Sequence, residues 1–224
     1  MTIRTSFDAP RICFLGDSFV QGLGDPEFRG WVGRVLQAAA PGATAFNLGV
    51  RRETSAQVRR RWRTEVEART VPGADNRLVL SFGANDAMVE DGVPRVAPDR
   101  TLRNLAALLD DARELGLGAL VVGPPPVVCG GAAHRERLRR LVPAMAGTCA
   151  ASEVPFVDVT EALAADPVWT AETAAGDGAH PGSGGYGRLA ELVLAGGFRD
   201  WIGNRAELDR LRTGLTLSAL QGEC

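Results

Sequence analysis

Five short apolar runs alternate with stretches of helical periodicity along this 224-residue chain. The run at 78–82 is apolar apart from one serine, as expected for a strand whose sheet is covered on both faces. Strands that alternate with helices favour parallel pairing, because each helix returns the chain to the start of the next strand. The pattern predicts an α/β fold in which a five-stranded parallel sheet lies between two layers of helices. The predicted strands are 11–15, 44–48, 78–82, 119–122 and 156–159.

Helices are predicted from apolar residues that recur three and four positions apart and from residues typical of helix ends. The clearest is 101–115, whose leucines form one wide apolar stripe and which Gly116 ends. Thr54 and Gln57 have the form of a capping box, which predicts a helix from there to about residue 69. The other helices are expected at 31–40, 134–151 and 186–194.

Two stretches are harder to assign. Pro143 is expected to kink or split the helix at 134–151, because proline removes a backbone donor and crowds the preceding turn. The stretch 164–179 is expected to be irregular. A chain of this length most often forms one large domain. We expect an N-terminal tail at 1–10, a single domain at 11–202 and a C-terminal helix or tail at 203–224.

Composition argues against several classes of function. The net charge of −2 gives no electrostatic basis for binding nucleic acid or an anionic membrane. The arginines of the predicted helix at 54–69 are interleaved with Glu65 and Glu67, which favours a solvated face. No apolar stretch is long enough to span a bilayer, and residues 1–10 lack the apolar segment of a signal peptide. A cytoplasmic location is therefore expected.

Cysteines and histidines give no indication of a metal or a disulfide framework. The four cysteines are scattered without a C-x-x-C pair, so they are expected to be free thiols. The two histidines lie far apart, and no carboxylates cluster around them as a metal site would require. The first strand also lacks a G-x-G-x-x-G turn, the mark of a dinucleotide site. We expect neither a metal nor a cofactor.

Three of the predicted strands end in polar or glycine-rich residues. In open parallel sheets, ligands bind at the carboxyl ends of the strands, so these residues are expected to face one crevice. They are Gly16-Asp17-Ser18, Gly49 and Gly83-Ala84-Asn85-Asp86.

A serine can act as a nucleophile at such a strand end if the rest of the chain supplies a base, a group that orients the base, and donors for an oxyanion. His180 follows Asp177 by three residues in a turn fixed by Gly178 and Pro181, so the carboxylate can return to the imidazole. His134 begins a helix among charged residues and is expected to be solvated. Alone, Gly-Asp-Ser and Asp-x-x-His are also common in surface turns.

Taken together and in this order, Gly16-Asp17-Ser18, Gly49, Gly83-x-Asn85 and Asp177-x-x-His180 resemble the SGNH hydrolase superfamily of GDSL-type esterases and lipases. The resemblance covers about 11–201, with Phe19 where the family name has leucine. It implies the flavodoxin-like, doubly wound SGNH hydrolase fold. It also implies Ser18 as nucleophile, His180 as base and Asp177 as the residue that orients His180, with an oxyanion hole formed by Ser18, Gly49 and Asn85.

The reaction that this resemblance implies is hydrolysis of small or soluble esters through an acyl-serine intermediate, with a small-molecule ester as the partner. The same site also suits an acyltransferase, a thioesterase or a lysophospholipase, and a non-catalytic binding module is a further alternative. An α/β-hydrolase is disfavoured, because Val20 stands where G-x-S-x-G requires glycine. The natural ester and the oligomeric state stay open.

The acyl pocket is the least defined part of the predicted site. Apolar residues near the nucleophile and after the fourth strand are candidates for its walls, although ordinary loop packing explains them equally well. Arg51 and Arg52 follow the oxyanion glycine and are either solvated or in contact with an anionic substrate group. The apolar candidates are Phe19, Val20, Val127 and Trp169.

Overall fold

The structure is a computed structural model that describes residues 9–203. Of the predicted tail at 1–10, residues 1–8 lie outside the described residues. Of the predicted segment at 203–224, residues 204–224 lie outside them. Within 9–203 the strands are β1 (Arg11–Gly16), β2 (Thr44–Gly49), β3 (Asn76–Ser81), β4 (Val89–Glu90), β5 (Val93–Pro94), β6 (Gly118–Val122) and β7 (Phe156–Val157).

The helices of the described chain lie between and after these strands. They are α1 (Ser18–Gln21), α2 (Gly30–Ala39), α3 (Ser55–Glu67), α4 (Pro98–Glu114), α5 (Gly131–Ala151), α6 (Thr160–Ala165), α7 (Pro167–Ala175), α8 (Ser183–Val193) and α9 (Arg199–Gly203), with one π-helical turn, Leu194–Phe198, joining the last two.

Five parallel strands form the main sheet, in the order β2-β1-β3-β6-β7. This is the flavodoxin-like order, in which β2 lies on one side of the interior strand β1 and the later strands continue on the other side. The predicted three-layer α/β fold with a five-stranded parallel sheet is confirmed. β4 and β5 form a separate antiparallel hairpin, which was not predicted because two residues per strand are too few to show a period.

The register of the central strands brings the predicted motifs to one edge of the sheet. Gly16, at the end of β1, lies opposite Gly49 of β2 and Ser81 of β3. The residues that follow these three positions therefore emerge side by side. This is the edge at which ligands bind in sheets of this kind.

Side chains of β1 alternate between two apolar cores, as strand geometry requires. Ile12 and Phe14 face the layer that contains α2 and α8, whereas Cys13 and Leu15 face the layer that contains α3 and α4. All four are buried. Because helices cover both faces of the sheet, a site can form at an end of the strands, and in sheets of this kind it forms at the carboxyl end.

The prediction of an irregular stretch at 164–179 was wrong, and so was the alternative in which Pro143 splits the helix at 134–151. The stretch 164–179 is mostly helical, because Asp166 accepts the N–H groups of Val168 and Trp169 and Pro167 occupies the first helical position of α7. α5 runs through Pro143 as one helix. Pro143 lies on the exposed face of α5, where water can satisfy the carbonyl that lacks a donor, while the buried face packs on the core.

Among the helices between residues 9 and 203, none combines the length and the hydropathy needed to cross a bilayer. Cys13, Cys129 and Cys149, the cysteines within that range, are free thiols.

Candidate active site

Ser18 lies at the first position of α1, directly after the end of β1. Asp17 caps this short helix, since its Oδ1 accepts the Phe19 N–H at 3.0 Å. Close packing around the turn requires glycine at two positions. A Cβ at Gly16 would lie 1.9 Å from the carbonyl oxygen of Ser81, and one at Gly49 would lie 2.1 Å from the backbone nitrogen of Gln21. The glycines therefore let β2 and β3 approach the serine turn from both sides.

Ser18, His180 and Asp177 form a continuous chain of hydrogen bonds. Ser18 Oγ lies 2.8 Å from His180 Nε2, and His180 Nδ1 lies 2.7 Å from Asp177 Oδ2. An ionised carboxylate only accepts, so Nδ1 carries the ring proton and the Nε2 lone pair faces the serine hydroxyl. The serine is almost buried, at 4% exposure, whereas the Asp177 side chain is 46% exposed. The arrangement can accept a proton from Ser18.

The carboxylate of Asp177 is held ionised by its neighbours. Burial alone would raise its pKa, but N–H groups of the His180 backbone and ring and of the Ala179 backbone outweigh that effect and lower the pKa to about 2. The two backbone donors lie 2.9 Å from Oδ1, which leaves Oδ2 for the imidazole. Asp177 therefore stays charged and fixes the tautomer of His180 throughout the neutral range.

The turn that carries Asp177 and His180 is clamped from two directions. The Gly178 carbonyl accepts the N–H groups of Val128 and Cys129, both at 2.8 Å, and the Gly178 N–H donates to Thr173 at the end of α7. The ring of Phe19 packs 5.3 Å from the ring of His180. A loop so fixed can hold an imidazole against a serine that lies 162 residues earlier in the chain.

The three predicted oxyanion donors occupy different environments. The Ser18 N–H has no acceptor within the described part of the chain. The Gly49 N–H donates to Asn47 Oδ1 at 3.0 Å, and Asn85 Nδ2 donates to Asp17 Oδ2 at 3.2 Å and to the Glu53 carbonyl at 3.0 Å. Ser18 and Asn85 line one cavity with His180, whereas Gly49 does not line it and packs behind α1.

Asp17 is a site residue that was not singled out within the Gly-Asp-Ser motif. It is only 1% exposed and contacts both the serine turn and Asn85. Burial raises its pKa to about 7; the charge of Asp86 adds to this rise, and the hydrogen bonds from Phe19 and Asn85 oppose it. The position of an aspartate in the motif was visible in the sequence, but its burial depends on the loops that cover it.

Asp86 has a structural part in the same region. Its carboxylate accepts the Ser55 N–H at 2.9 Å and the Thr101 hydroxyl at 2.8 Å, so it ties the loop after β3 to the starts of α3 and α4. Burial raises its pKa, although these hydrogen bonds oppose the rise. This contact keeps the neighbouring Asn85 at a fixed height above the sheet.

The expectation that His134 is solvated was wrong. The side chain has no exposed surface, and its Nε2 lies 2.9 Å from the Ala84 carbonyl, beside Asn85. Burial lowers the pKa of His134, which favours the neutral ring. Charged neighbours in the sequence were misleading, because His134 lies on the inward face of α5, whereas Arg135 is exposed and Arg137 donates to the Ala87 carbonyl.

Ser18, His180 and Asn85 open into a cavity of about 260 Å³. Phe19 and Val127 line it, as do Arg51 and Arg52. Val20 and Trp169, the other two candidates for an acyl pocket, are buried at 1% exposure and lie in the core. Trp169 packs 6.0 Å behind the ring of Phe19 and donates its indole N–H to the Pro126 carbonyl. These two residues support the wall without reaching the cavity.

A larger cavity, of about 390 Å³, opens at the opposite end of the sheet beside Arg77 and Trp201. It contains neither histidine, so the smaller cavity is the candidate active site. Among residues 9–203 no group of three or more histidine, cysteine or acidic side chains is arranged to hold a metal ion.

Comparison with known proteins places this geometry in a family. The profile of the GDSL-like Lipase/Acylhydrolase family matches residues 14–188. The fold is similar to a lipase/acylhydrolase from Enterococcus faecalis, with a TM-score of 0.67, 24% identity and coverage of 83% of this chain and 94% of that one. It is also similar to Axe2, an acetylxylan esterase from Geobacillus stearothermophilus, with a TM-score of 0.69, 21% identity and coverage of 90% and 100%.

One curated relative aligns over a shorter region. The uncharacterized lipoprotein YqeF of Bacillus subtilis (strain 168) is 26% identical over 110 residues, which is 49% of this chain and 44% of that protein. The alignment thus spans less than half of the lipoprotein. The profile match covers most of the present chain, from the middle of β1 into α8. The chain therefore belongs to the GDSL-like Lipase/Acylhydrolase family of ester-hydrolysing enzymes.

Proposed function

We propose that this protein hydrolyses small or soluble carboxylic esters through an acyl intermediate on Ser18. The observation that carries the proposal is the hydrogen-bonded chain from Ser18 Oγ through His180 to Asp177. In the first step His180 Nε2 takes the hydroxyl proton as Ser18 Oγ attacks the ester carbonyl. The protonated ring then gives that proton to the leaving alcohol, and Asp177 stabilises its transient positive charge.

In the second step water replaces the alcohol. His180 removes a proton from that water, the hydroxide attacks the acyl carbonyl, and the proton returns to Ser18 as the acid leaves. The small volume of the cavity, about 260 Å³, supports a short acyl group more than a long lipid chain.

Oxyanion stabilisation is assigned to the Ser18 amide and the Asn85 side chain, which line the cavity, and to the Gly49 amide, which has to turn toward the cavity to take part. The Ser18 N–H is free to donate, since no acceptor faces it within residues 9–203. To bind the developing oxyanion, Asn85 must give up its longer hydrogen bond, at 3.2 Å to Asp17. The Gly49 N–H must likewise give up its hydrogen bond to the Asn47 side chain. A charged oxyanion is a stronger acceptor than a neutral amide oxygen, which favours the exchange at Gly49 in the transition state.

The test is active-site labelling with a fluorophosphonate probe, followed by peptide mapping. We expect one adduct, on Ser18, which disappears in Ser18→Ala and in His180→Ala. Ester hydrolysis should disappear in parallel. A folded protein that gives no adduct and hydrolyses no ester in an acyl-chain series would end the proposal. A product analysis in which added alcohols capture the acyl group in place of water would replace hydrolysis with acyl transfer.

A further inference from the structure

One wall of the candidate active site is a tight turn that presents two arginines. The Glu53 N–H donates to the Val50 carbonyl, which closes the turn around Arg51 and Arg52. Arg52 has a φ of 68°, a left-handed conformation that glycine or asparagine adopts more easily at this turn position. A strained arginine in a tight turn beside a cavity is a reason to look for a function.

The turn is held in place by side chains of the β4–β5 hairpin region. Arg95 donates through Nη1 to the Arg52 carbonyl at 3.0 Å and through Nε contacts Glu90 at 3.1 Å. Arg52 contacts the same Glu90 oxygen, also at 3.1 Å. One carboxylate is thus shared between two guanidinium groups, and the Arg95 side chain is only 14% exposed. The wall is therefore a built structure with more positive than negative charge.

Arg51 adds a second positive charge that nothing balances among the described residues. It lines the same cavity as Ser18 and His180, and within residues 9–203 it forms neither an ion pair nor a hydrogen bond. The other acidic group in the cavity, Asp177, is committed to His180. The chain as a whole is slightly negative, at −2, so this positive wall is a local feature.

We propose that the substrate is an ester that carries an anionic group, a carboxylate or a phosphate, and that Arg51 binds this group while Ser18 attacks the ester. The proposal rests on the proposed esterase function and specifies its substrate class. A guanidinium presents paired N–H donors whose spacing matches a carboxylate or phosphate, so it binds them in two-point contact. Arg52 and Arg95, neutralised only in part by Glu90, add to the attraction.

The test compares pairs of esters that differ in charge but have the same scissile bond. In the first pair, O-acetyl-lactate carries its charge in the alcohol part and O-acetyl-lactamide is the neutral counterpart. In the second pair, monoethyl succinate carries its charge in the acyl part and ethyl succinamate is the neutral counterpart. 2-Acetoxyethyl phosphate and its neutral dimethyl ester do the same for phosphate. The quantity measured is the ratio of kcat/KM for the anionic member to that for the neutral member, by titration of released acid.

We expect a ratio of about ten in at least one pair for the wild type, since a charge-assisted hydrogen bond in a partly exposed site has roughly that effect. Arg51→Gln should remove most of this preference and leave the smaller part that Arg52 and Arg95 contribute. The matched control is Arg60→Gln, which removes the same charge from the exposed face of α3, away from the cavity, and should keep the wild-type ratio. High salt should lower the wild-type ratio by screening.

Two failures are distinguishable. Wild-type protein that is labelled on Ser18 and hydrolyses the neutral esters, but shows a ratio of one in every pair, overturns the anionic substrate class alone. The assignment of the anion to Arg51 is overturned if Arg51→Gln keeps the wild-type ratio, or if Arg60→Gln reduces the ratio as much as Arg51→Gln does. Absence of both labelling and turnover overturns the esterase and, with it, this inference. Which pair shows the preference identifies the side of the ester that carries the anion.

Discussion

The two histidines of this chain both lie near the carboxyl edge of the sheet, yet their surroundings differ in almost every respect. His180 lies on a short turn, and both of its ring nitrogens have polar partners, Ser18 on one side and Asp177 on the other. His134 lies inside α5 with no exposed surface. Its Nε2 faces the Ala84 carbonyl, and its Nδ1 is buried without a partner in the described chain.

Because of this difference, the two histidines are expected to have different roles, proton transfer for one and positioning of the backbone for the other. A carbonyl only accepts, so His134 donates through Nε2–H and its neutral ring has no lone pair directed at the cavity. His180 has the opposite arrangement, with the proton on Nδ1 and the lone pair toward Ser18. One histidine can therefore move a proton, while the other fixes the backbone just before Asn85. Three predictions test this division, from the largest expected effect to the smallest, and a fourth concerns Asp17, which lies between Ser18 and Asn85.

His180→Ala should have the largest effect, a loss of about 10⁴-fold or more in kcat, because removing the base leaves only binding and oxyanion stabilisation. The Ser18→Ala variant should lose a similar factor, and the double variant should be no worse, since the two side chains act as one unit. Initial-rate kinetics on a neutral ester measures all three. Losses that multiply in the double variant would contradict a shared proton transfer.

Asn85→Ala should lower kcat by about 10²–10³-fold with little change in KM, since an oxyanion donor acts mainly in the transition state. Asn76→Ala, at the other end of β3, is the matched control and should keep wild-type kcat, because the Asn76 side chain bonds to the loop before that strand, far from the cavity. Equal losses in the two variants would mean that Asn85 only supports the fold.

His134 should show the smaller, indirect effect expected of a positioning residue. His134→Leu keeps much of the volume but leaves the Ala84 carbonyl without its donor, which should cost about 1–3 kcal/mol in the free energy of unfolding. We expect kcat to fall by about tenfold as the neighbouring Asn85 loses its alignment, a fraction of the effect of removing that donor. Urea unfolding and initial rates measure the two quantities.

A rescue experiment separates positioning from general destabilisation. In His134→Gln the side-chain amide can donate to the same carbonyl, so kcat should recover toward wild type even if stability does not. A glutamine variant that is as slow as the leucine variant would show that the bond to Ala84 has no part in catalysis. A leucine variant as inactive as His180→Ala would remove the distinction between the two histidines.

The contrast between the histidines also shows what the sequence could predict. The roles proposed for Ser18 and His180 follow from the resemblance of the ordered motifs to a known family, and parallel pairing with Gly16 opposite Gly49 explains why the motifs at strand ends meet. The burial of His134 depends on how one turn of α5 is rotated against the loop after β3, and flanking arginines gave the wrong answer. The local sequence predicts that His134 lies in a helix. Its environment is set by a contact with Ala84, 50 residues earlier in the chain, which the local sequence does not show.

Asp17 links the surroundings of His180 to those of His134. It directly precedes Ser18, and its carboxylate accepts a hydrogen bond from Asn85. Its pKa is raised from 3.8 to about 7 by burial, with the charge of Asp86 contributing to the rise. Between those values the folded protein retains a proton that the unfolded chain releases. The contribution of Asp17 to stability is therefore fully present below pH 3.8, falls as the pH rises, and is lost above about pH 7.

Asp17→Asn should remove this dependence while keeping an acceptor for the Phe19 N–H. We expect the Tm of the variant, relative to wild type, to rise by roughly 5 °C between pH 5 and pH 8, since each kcal/mol shifts the Tm of a domain of this size by a few degrees. Asp86 also has a raised pKa and is present in both proteins, so only the part of its titration that is coupled to Asp17 enters the difference. Differential scanning calorimetry at several pH values measures that difference. If the two Tm curves stay parallel, Asp17 keeps its ordinary pKa in the folded state, and its carboxylate is then charged beside Asn85 throughout the neutral range.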